Sequence, residues 1–432
     1  MDDTAISRLY EVYLASRRVT TDSRDITPGC IFFAFKGERY DGNAFAPQAL
    51  EQGAALCVVS DEAYKSDDRY IVVQDVLKTL QELAREHRRH LEIPVIGITG
   101  TNGKTTTKEL VNAVLSRRYR TSATVGNFNN HLGVPLTLLA IPADTEIAIV
   151  EMGANHPGEI AQLCSLADPD YGLITNVGRA HLEGFGSFEG VVKTKTELYR
   201  HLAAKGGMVF LNADNEILSG QWPAANRTMA YGRGTDADVR GTYIGSDPYL
   251  HFYFERGDNV YNVRTGLLGE YNFDNCMAAV AVGVHFGVEP FEIKQAIEEY
   301  RPSNRRSQFK QTARNSLYLD CYNANPSSMA AAISSFSAME GRKCAIIGGM
   351  HELGAEEKSE HSRLVEQLAA CALEQVLLVG SEFEGIELPS NMILFSDIST
   401  LRRHLEHHPI EGCTVLVKGS NTNRLWELEE LL

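Results

Sequence analysis

From Val95 to Leu110 the chain reads VIGITGTNGKTTTKEL: an apolar run, a turn with two glycines, then a polar stretch of helical character. This order limits the fold more than any other feature. A strand is expected over 95–99, a turn at Gly100 and Gly103, and a helix from near Lys104. Backbone N–H groups at such a helix start converge on one point, and the helix dipole favours an anion there. Glycines let the backbone approach phosphate oxygens, Lys104 has the length to reach the outer phosphates, and the Thr105 hydroxyl suits Mg²⁺. The usual phosphate loop has a further glycine where this chain has Ile98, so the match is to a shorter form, G-T-N-G-K-T. Gly100, Thr101, Asn102, Gly103, Lys104, Thr105 and Thr106 are therefore read as a nucleoside triphosphate site.

The alternation of strand and helix extends in both directions. In the first part, Ile6, Leu9, Tyr10 and Tyr13 recur at helical spacing, CIFFAF and ALCVVS read as short strands, and VLKTLQELAREHRRH reads as a helix with a basic last turn. LEIP follows as a linker. PVIGIT, EIAIVEM, YGLITNV and GMVFLNAD are apolar runs, with helical segments after the first three, which implies a parallel sheet covered on both faces. YLHFYF breaks the rhythm as an excursion at the sheet edge. A third set of strands, CAIIGG, QVLLVG, MILFSD and CTVLVKG, implies a smaller Rossmann-like sheet. The fold class is therefore α/β with three domains, 1–92, 93–301 and 302–432. The first is small, the second has a central P-loop-type, mostly parallel sheet, and the third is Rossmann-like. RPSNRRSQFK, over Arg301–Gln308 and beyond, is the hinge expected between the last two.

Length supports more than one core: 432 residues with 44% apolar and 8% aromatic content exceed what a single core usually organises. The formal charge of −15 argues against non-specific nucleic-acid binding, because a polyanion is repelled at long range. MDDTAISRLY lacks the charged and apolar regions of a signal peptide, and no apolar run approaches the ~18 residues needed to span a bilayer. The eight cysteines are scattered without a Cys-x-x-Cys pair, as reduced cysteines of a cytoplasmic protein are. Monomer is expected, for lack of an evident pairing segment.

Downstream of the turn, Glu151 ends the run EIAIVE, where an α/β sheet presents ligands and a carboxylate can bind the Mg²⁺ shared with phosphates. His181 follows the next strand, near the same rim. Alone, it reads as readily as a polar surface group, and Lys195 in GVVKTKTELY reads as a solvated helix lysine.

Taken together these residues carry a resemblance. TGTNGKTTTKEL, GNFNNHLGVPLTLL, EMGANHPGEI, TNVGRAHLEGFGS, KTKTELY, LDCYNANPSSM and HELGAEEKSEH occur in this order, and TDSRDITPGCIFFAFKGERYDGNAF precedes them. The chain resembles the Mur ligase family over nearly its whole length, and within it the branch that adds D-alanyl-D-alanine. The resemblance implies ATP-dependent joining of the free carboxylate of UDP-MurNAc-tripeptide to the amine of D-Ala-D-Ala, through an acyl phosphate, in peptidoglycan synthesis. It implies two Mg²⁺ ions, with Thr105 and Glu151 at the first, His181 at the second, and a carbamate on Lys195. By the same resemblance Asn275 lies near the adenine, Arg306 and Asp320 contact the nucleotide, and Ser23 contacts the uridine diphosphate. Asn129, Asn130 and His131 are expected to face the muramoyl-peptide, and Tyr322, Asn323 and Asn325 the nucleotide or dipeptide. Three positions depart from the family pattern: Gly349 where many members have aspartate, Asp320 as a single acid instead of two, and Asn421 instead of an arginine. Two other readings stay open: an amide ligase adding a different amino acid, and a nucleotide-dependent switch. YNANP speaks against the first, and Glu151, His181 and Lys195 together speak against the second.

Overall fold

The computed structural model of the chain describes residues 3–38, 40–223, 226–302 and 306–432. Positions 303–305 of the expected hinge lie outside the described residues. Three sheets carry the architecture. The first is fully parallel, in the order β1 (Val19–Thr20), β2 (Ile31–Phe33), β3 (Leu56–Val59), β4 (Tyr70–Val72). The central sheet contains β5 (Val95–Thr99), β6 (Thr121–Ala123), β7 (Ile147–Glu151), β8 (Tyr171–Ile174), β9 (Met208–Asn212), β10 (Thr228–Gly232), β11 (Val239–Ser246), β12 (Tyr249–Arg256) and β13 (Asn259–Leu268). Its order is 13-12-11-10-9-8-5-7-6. The last sheet contains β14 (Gln308–Gln311), β15 (Ser316–Asp320), β16 (Lys343–Gly348), β17 (Gln375–Val379), β18 (Met392–Phe395) and β19 (Thr414–Lys418), in the order 14-15-19-16-17-18.

The apolar runs become parallel strands for the reason their composition gives. Val95, Ile96 and Ile98 of β5 are fully buried, and burying each such side chain contributes roughly 1.5–3 kcal/mol. In β16 the two-residue period divides one strand between two cores: Ala345 and Ile347 enter one, Cys344 and Ile346 the other. The edge excursion is larger than YLHFYF suggests. That segment is the middle of an antiparallel meander, β11–β12–β13, so the central sheet is mostly rather than wholly parallel. The last sheet likewise begins earlier than expected, with β14 antiparallel to β15.

Seven helices carry or border the residues of interest: α1 (Asp3–Ser16), α2 (Val76–His90), α3 (Lys104–Leu115), α4 (Phe188–Lys195), α5 (Asn272–His285), α6 (Pro326–Ser337) and α7 (Glu357–Ala369). The Asp75 carboxylate caps α2 by accepting from the Lys78 amide at 2.9 Å, a contact worth about 1 kcal/mol. Near the other end of α2, buried Arg88 donates to the carbonyls of Ala167 and Asp168 and to the Asp170 carboxylate.

By compactness the chain divides into two units. One comprises Met1–Ile98, Tyr119–Ala154 and Gly158–Gly172; the other comprises Thr99–Arg118, Asn155–Pro157 and Leu173–Leu432. Among the described residues, no helix is long and apolar enough to cross a membrane, and all eight cysteines are free.

Candidate active site

The phosphate turn lies in the second unit. Gly103 precedes α3 with φ +78°, and Gly100 has φ +144°, both in the region that favours glycine. Each glycine is also required by a close approach. A Cβ at Gly100 would lie 2.0 Å from Thr175 Oγ1, and one at Gly103 would lie 2.5 Å from Asn275 Oδ1. The residues just after β8 hold the turn from one side. Thr175 Oγ1 donates to the Asn102 carbonyl at 2.6 Å, the Asn102 amide donates to Asn176 Oδ1 at 3.0 Å, and the Gly178 amide donates to Thr101 Oγ1 at 3.0 Å. From α5, buried Asn275 accepts from Thr107 Oγ1 at 3.0 Å while its own amide donates to Asn272 Oδ1 at 2.9 Å. Lys104 Nζ rests against the turn, donating to the carbonyls of Gly100 and Thr101 at 2.8 and 3.0 Å. Thr105 and Thr106 are buried in the first turn of α3.

His181 stands in the same unit. Burial lowers its pKa, the nearby Glu352 carboxylate opposes that effect, and the charges of Lys104 and Lys195 lower it further. A histidine shifted this way stays neutral at physiological pH, the form that ligates metals. Its Nδ1 meets Glu352, and both residues have positive φ, +51° and +61°. Lys195 is not the solvated lysine its helical context suggests. It is 2% exposed, with Nζ 5.2 Å from the centre of the Phe185 ring, whereas Lys193 of the same helix is exposed.

Glu151 belongs to the first unit. It ends β7 and is paired in register with Ile98 of β5. The carboxylate is buried, and its Oε1 accepts from Asn129 Nδ2 at 2.8 Å. Asn130 Oδ1 accepts from the amides of Leu132 and Gly133, an Asx-type turn. The His131 carbonyl accepts from Gln81 of α2, and Ser23 sits half-buried in the turn after β1. Asn129 is thus attached to Glu151, and Asn130 organises its own loop.

Near the C-terminal strand ends, the Arg306 guanidinium lies 3.7 Å from the centre of the Tyr322 ring. Asp320 ends β15 and accepts from the buried Lys418 Nζ at 2.5 Å, and exposed Asn323 turns its side chain back to the Ala324 amide. Asn325 caps α6 in a capping box with Ser328, and its Nδ2 donates to Asn102 Oδ1 of the phosphate turn at 2.8 Å. Gly349, one of the departures, has a physical reason: a Cβ there would lie 2.6 Å from the carboxyl carbon of Glu382. Asn421 opens a short 3₁₀ turn capped by Ser420. Sequence reasoning did not single out Thr175, Asn176, Gly178, Asn272 and Lys418. For the first three a signal existed, since TNVG directly follows an apolar strand on the same sheet edge as the turn.

Family models match in three consecutive blocks: the Mur ligase family catalytic domain over 17–94, the Mur ligase middle domain over 98–283, and the Mur ligase glutamate ligase domain over 305–421. A UDP-N-acetylmuramoyl-tripeptide–D-alanyl-D-alanine ligase of Escherichia coli (strain K12) is 36% identical over 96% of this chain and 93% of its own. The relative of that name from Bacillus subtilis (strain 168) is also 36% identical, over 84% of this chain and 79% of its own. The chain belongs to the Mur ligase family. Solved Mur ligases show the same fold. A MurF ligase from Thermotoga maritima, in complex with ADP, superposes with a TM-score of 0.86 at 30% identity over 97% of each chain. MurF from Acinetobacter baumannii gives 0.85 at 32% identity, over 96% of this chain and 92% of its own.

Proposed function

We propose that this Mur ligase joins D-alanyl-D-alanine to UDP-N-acetylmuramoyl-tripeptide at the expense of ATP, in the synthesis of peptidoglycan precursors. The observation that carries this reading is the convergence of the phosphate turn, neutral His181 and buried Lys195 in one unit. A nucleotide switch has no use for the last two. Near-full-length likeness to ligases of this name supports the substrate pair.

A carboxylate is a poor electrophile at neutral pH. In the first step an oxygen of the tripeptide carboxylate bonds to the γ-phosphorus of ATP, the bond to the β,γ-bridging oxygen breaks, and ADP departs. In the second, the dipeptide amine bonds to the carbonyl carbon of the acyl phosphate and loses a proton, and inorganic phosphate leaves. Such phosphoryl transfer is mainly positioning and charge stabilisation. The amides and side chains of Gly100–Thr106 bind and orient the phosphates, with Lys104 moving from the carbonyls of Gly100 and Thr101 to the outer phosphate.

The likeness to this family implies two Mg²⁺ ions, which would supply further neutralisation of the phosphoryl oxygens when bound. The Thr105 hydroxyl and the Glu151 carboxylate would hold one. His181 and Lys195 would hold the other, the lysine as a carbamate, since an ammonium repels Mg²⁺ and a carbamate offers two hard oxygens. Asn129 keeps the Glu151 carboxylate in place. Asn275 serves the adenine side and backs the turn, Arg306 and Asp320 serve the nucleotide, and Ser23 serves the uridine diphosphate. Asn130 and His131, with Asn129, face the muramoyl-peptide, and Tyr322, Asn323 and Asn325 complete the nucleotide and dipeptide side. The domains are 1–92, 93–301 and 302–432. The enzyme acts as a monomer in the cytoplasm, where ATP is available.

ADP release, measured with each substrate omitted in turn, tests this. Full turnover should require both UDP-MurNAc-tripeptide and D-Ala-D-Ala, with Mg²⁺. Robust release with neither peptide substrate would sink the reading, and full turnover with a single amino acid replacing the dipeptide would favour a different amide ligase.

A further inference from the structure

At the opposite ends of the parallel strands from Asp320 and Lys418 lies a group of side chains that the ligation does not use. Cys344 is the second residue of β16, Cys413 directly precedes β19, and Glu374 directly precedes β17, so all three gather where these parallel strands begin. Both cysteines are buried, at 3% and 5% exposure, and their sulfurs are 3.6 Å apart. One ligand atom from each of the three residues lies within 4.8 Å of the other two. The group borders an open cleft of about 580 Å³, also lined by Arg342, Gln375 and Asn391. We propose that Cys344, Cys413 and Glu374 form a binding site for a thiophilic divalent cation of the Zn²⁺ type, separate from the Mg²⁺-dependent site.

Geometry favours a metal. Two thiolates bound tetrahedrally at Zn–S of about 2.3 Å sit about 3.8 Å apart, close to the separation already present. A covalent bond between the sulfurs instead needs them at about 2.05 Å, a much larger adjustment. The charges also balance. On binding, each thiol gives its proton to solvent, and two thiolates with Glu374, less the Arg342 guanidinium, leave two negative charges for one divalent cation to neutralise. Arg342 grips both oxygens of Glu374, at 2.7 and 2.8 Å, which fixes the carboxylate while leaving lone pairs on each oxygen. The cleft gives the ion an entry path and room for water as fourth ligand. Soft sulfur ligands select against Mg²⁺, so the two sites take different cations.

The test uses the full-length protein, kept reduced, titrated with Cd²⁺ alone and followed by its ultraviolet thiolate-to-metal charge-transfer absorption. Mg²⁺-type oxygen sites give no such band. One equivalent should saturate the band, and Zn²⁺ should displace it and raise the melting temperature. Cys344→Ser and Cys413→Ser should each weaken Cd²⁺ binding by about 100-fold or more, beyond the loss of an outer-shell partner. Glu374→Gln, at an exposed position safe for folding, should weaken it about tenfold and keep the band. Absence of a band in the reduced wild-type protein overturns the proposal. So does an undiminished band in the folded Cys344→Ser/Cys413→Ser double variant, and so does unchanged affinity in Glu374→Gln.

Discussion

Lys195 shows how packing changes the surroundings of a single side chain. On the helix Phe188–Lys195 it points into the protein, 2% exposed and beside Phe185, while Lys193 two residues earlier faces water. A long cationic side chain is rarely buried without a purpose. Lys195→Ala should therefore lower kcat by at least about 10²-fold, the usual cost of removing a preorganised charge-stabilising group, whereas Lys193→Ala should stay near wild type. Short carboxylic acids should partly restore Lys195→Ala by supplying oxygens in the vacated space. Full activity in Lys195→Arg, which cannot form this carbamate, would remove the carbamate from the mechanism. Gly349 makes the complementary point: the Glu382 carboxylate occupies the space into which a side chain at 349 would project.

At the scale of elements, α2 carries a pH sensitivity that its sequence conceals. His87 is 1% exposed on the buried face of the helix, with Nδ1 3.3 Å from the Tyr10 hydroxyl of α1 and the ring edge-on to Tyr13. Burial, then the Arg17 and His90 charges, push its pKa down to about 4. Below the ordinary value of 6.5 the unfolded chain takes up a proton that the folded chain refuses. Stability contributed by neutral His87 is thus complete above pH 6.5 and is lost as pH falls towards 4, by about 3 kcal/mol over the full shift. Thermal unfolding followed by circular dichroism from pH 7 to 4.5 should show a steeper loss for the wild-type protein than for His87→Phe, which does not titrate. Parallel curves would mean that other groups set the acid sensitivity.

For the molecule as a whole, the second unit contains contacts between segments remote in sequence. The Arg179 guanidinium meets Glu356 and, at 3.2 Å, the buried Glu360 of α7, while its amide donates to Ser327 Oγ of α6 at 2.8 Å. His181 meets Glu352 just before. Arg179 is 41% exposed, so its ion pairs are screened and contribute about 1 kcal/mol. Arg179→Ala should shift the balance between apposed and separated segments by about fivefold. Small-angle scattering should then give a larger radius of gyration with unchanged helix content. Addition of ATP and UDP-MurNAc-tripeptide should reduce it again, because an acyl phosphate must be kept from water. An unchanged radius in the variant would show that these pairs do not hold the segments together.

The features legible along the chain are local or periodic. VIGITGTNGKTTTKEL dictates a strand, a glycine turn and a helix start because each depends on neighbours a few residues away, and the apolar runs dictate buried parallel strands for the same reason. The helix Val76–His90 is legible from its period and its basic end. Glu151 at a strand end is legible too, although what holds it is not. Tertiary structure alone decided the rest. Gly103 is pressed by Asn275, a residue whose bond to Thr107 spans 168 positions, and Asn102 meets Asn325 across 223. The meander β11–β12–β13 was partly hidden because alternation in an edge strand reads the same whichever partner it finds. Burial of Lys195, the Glu352 contact of His181 and the thiol pair of Cys344 and Cys413 have no local signature. They arise only when packing brings distant segments together, since no spacing along the chain encodes which side of a helix or strand another segment will cover.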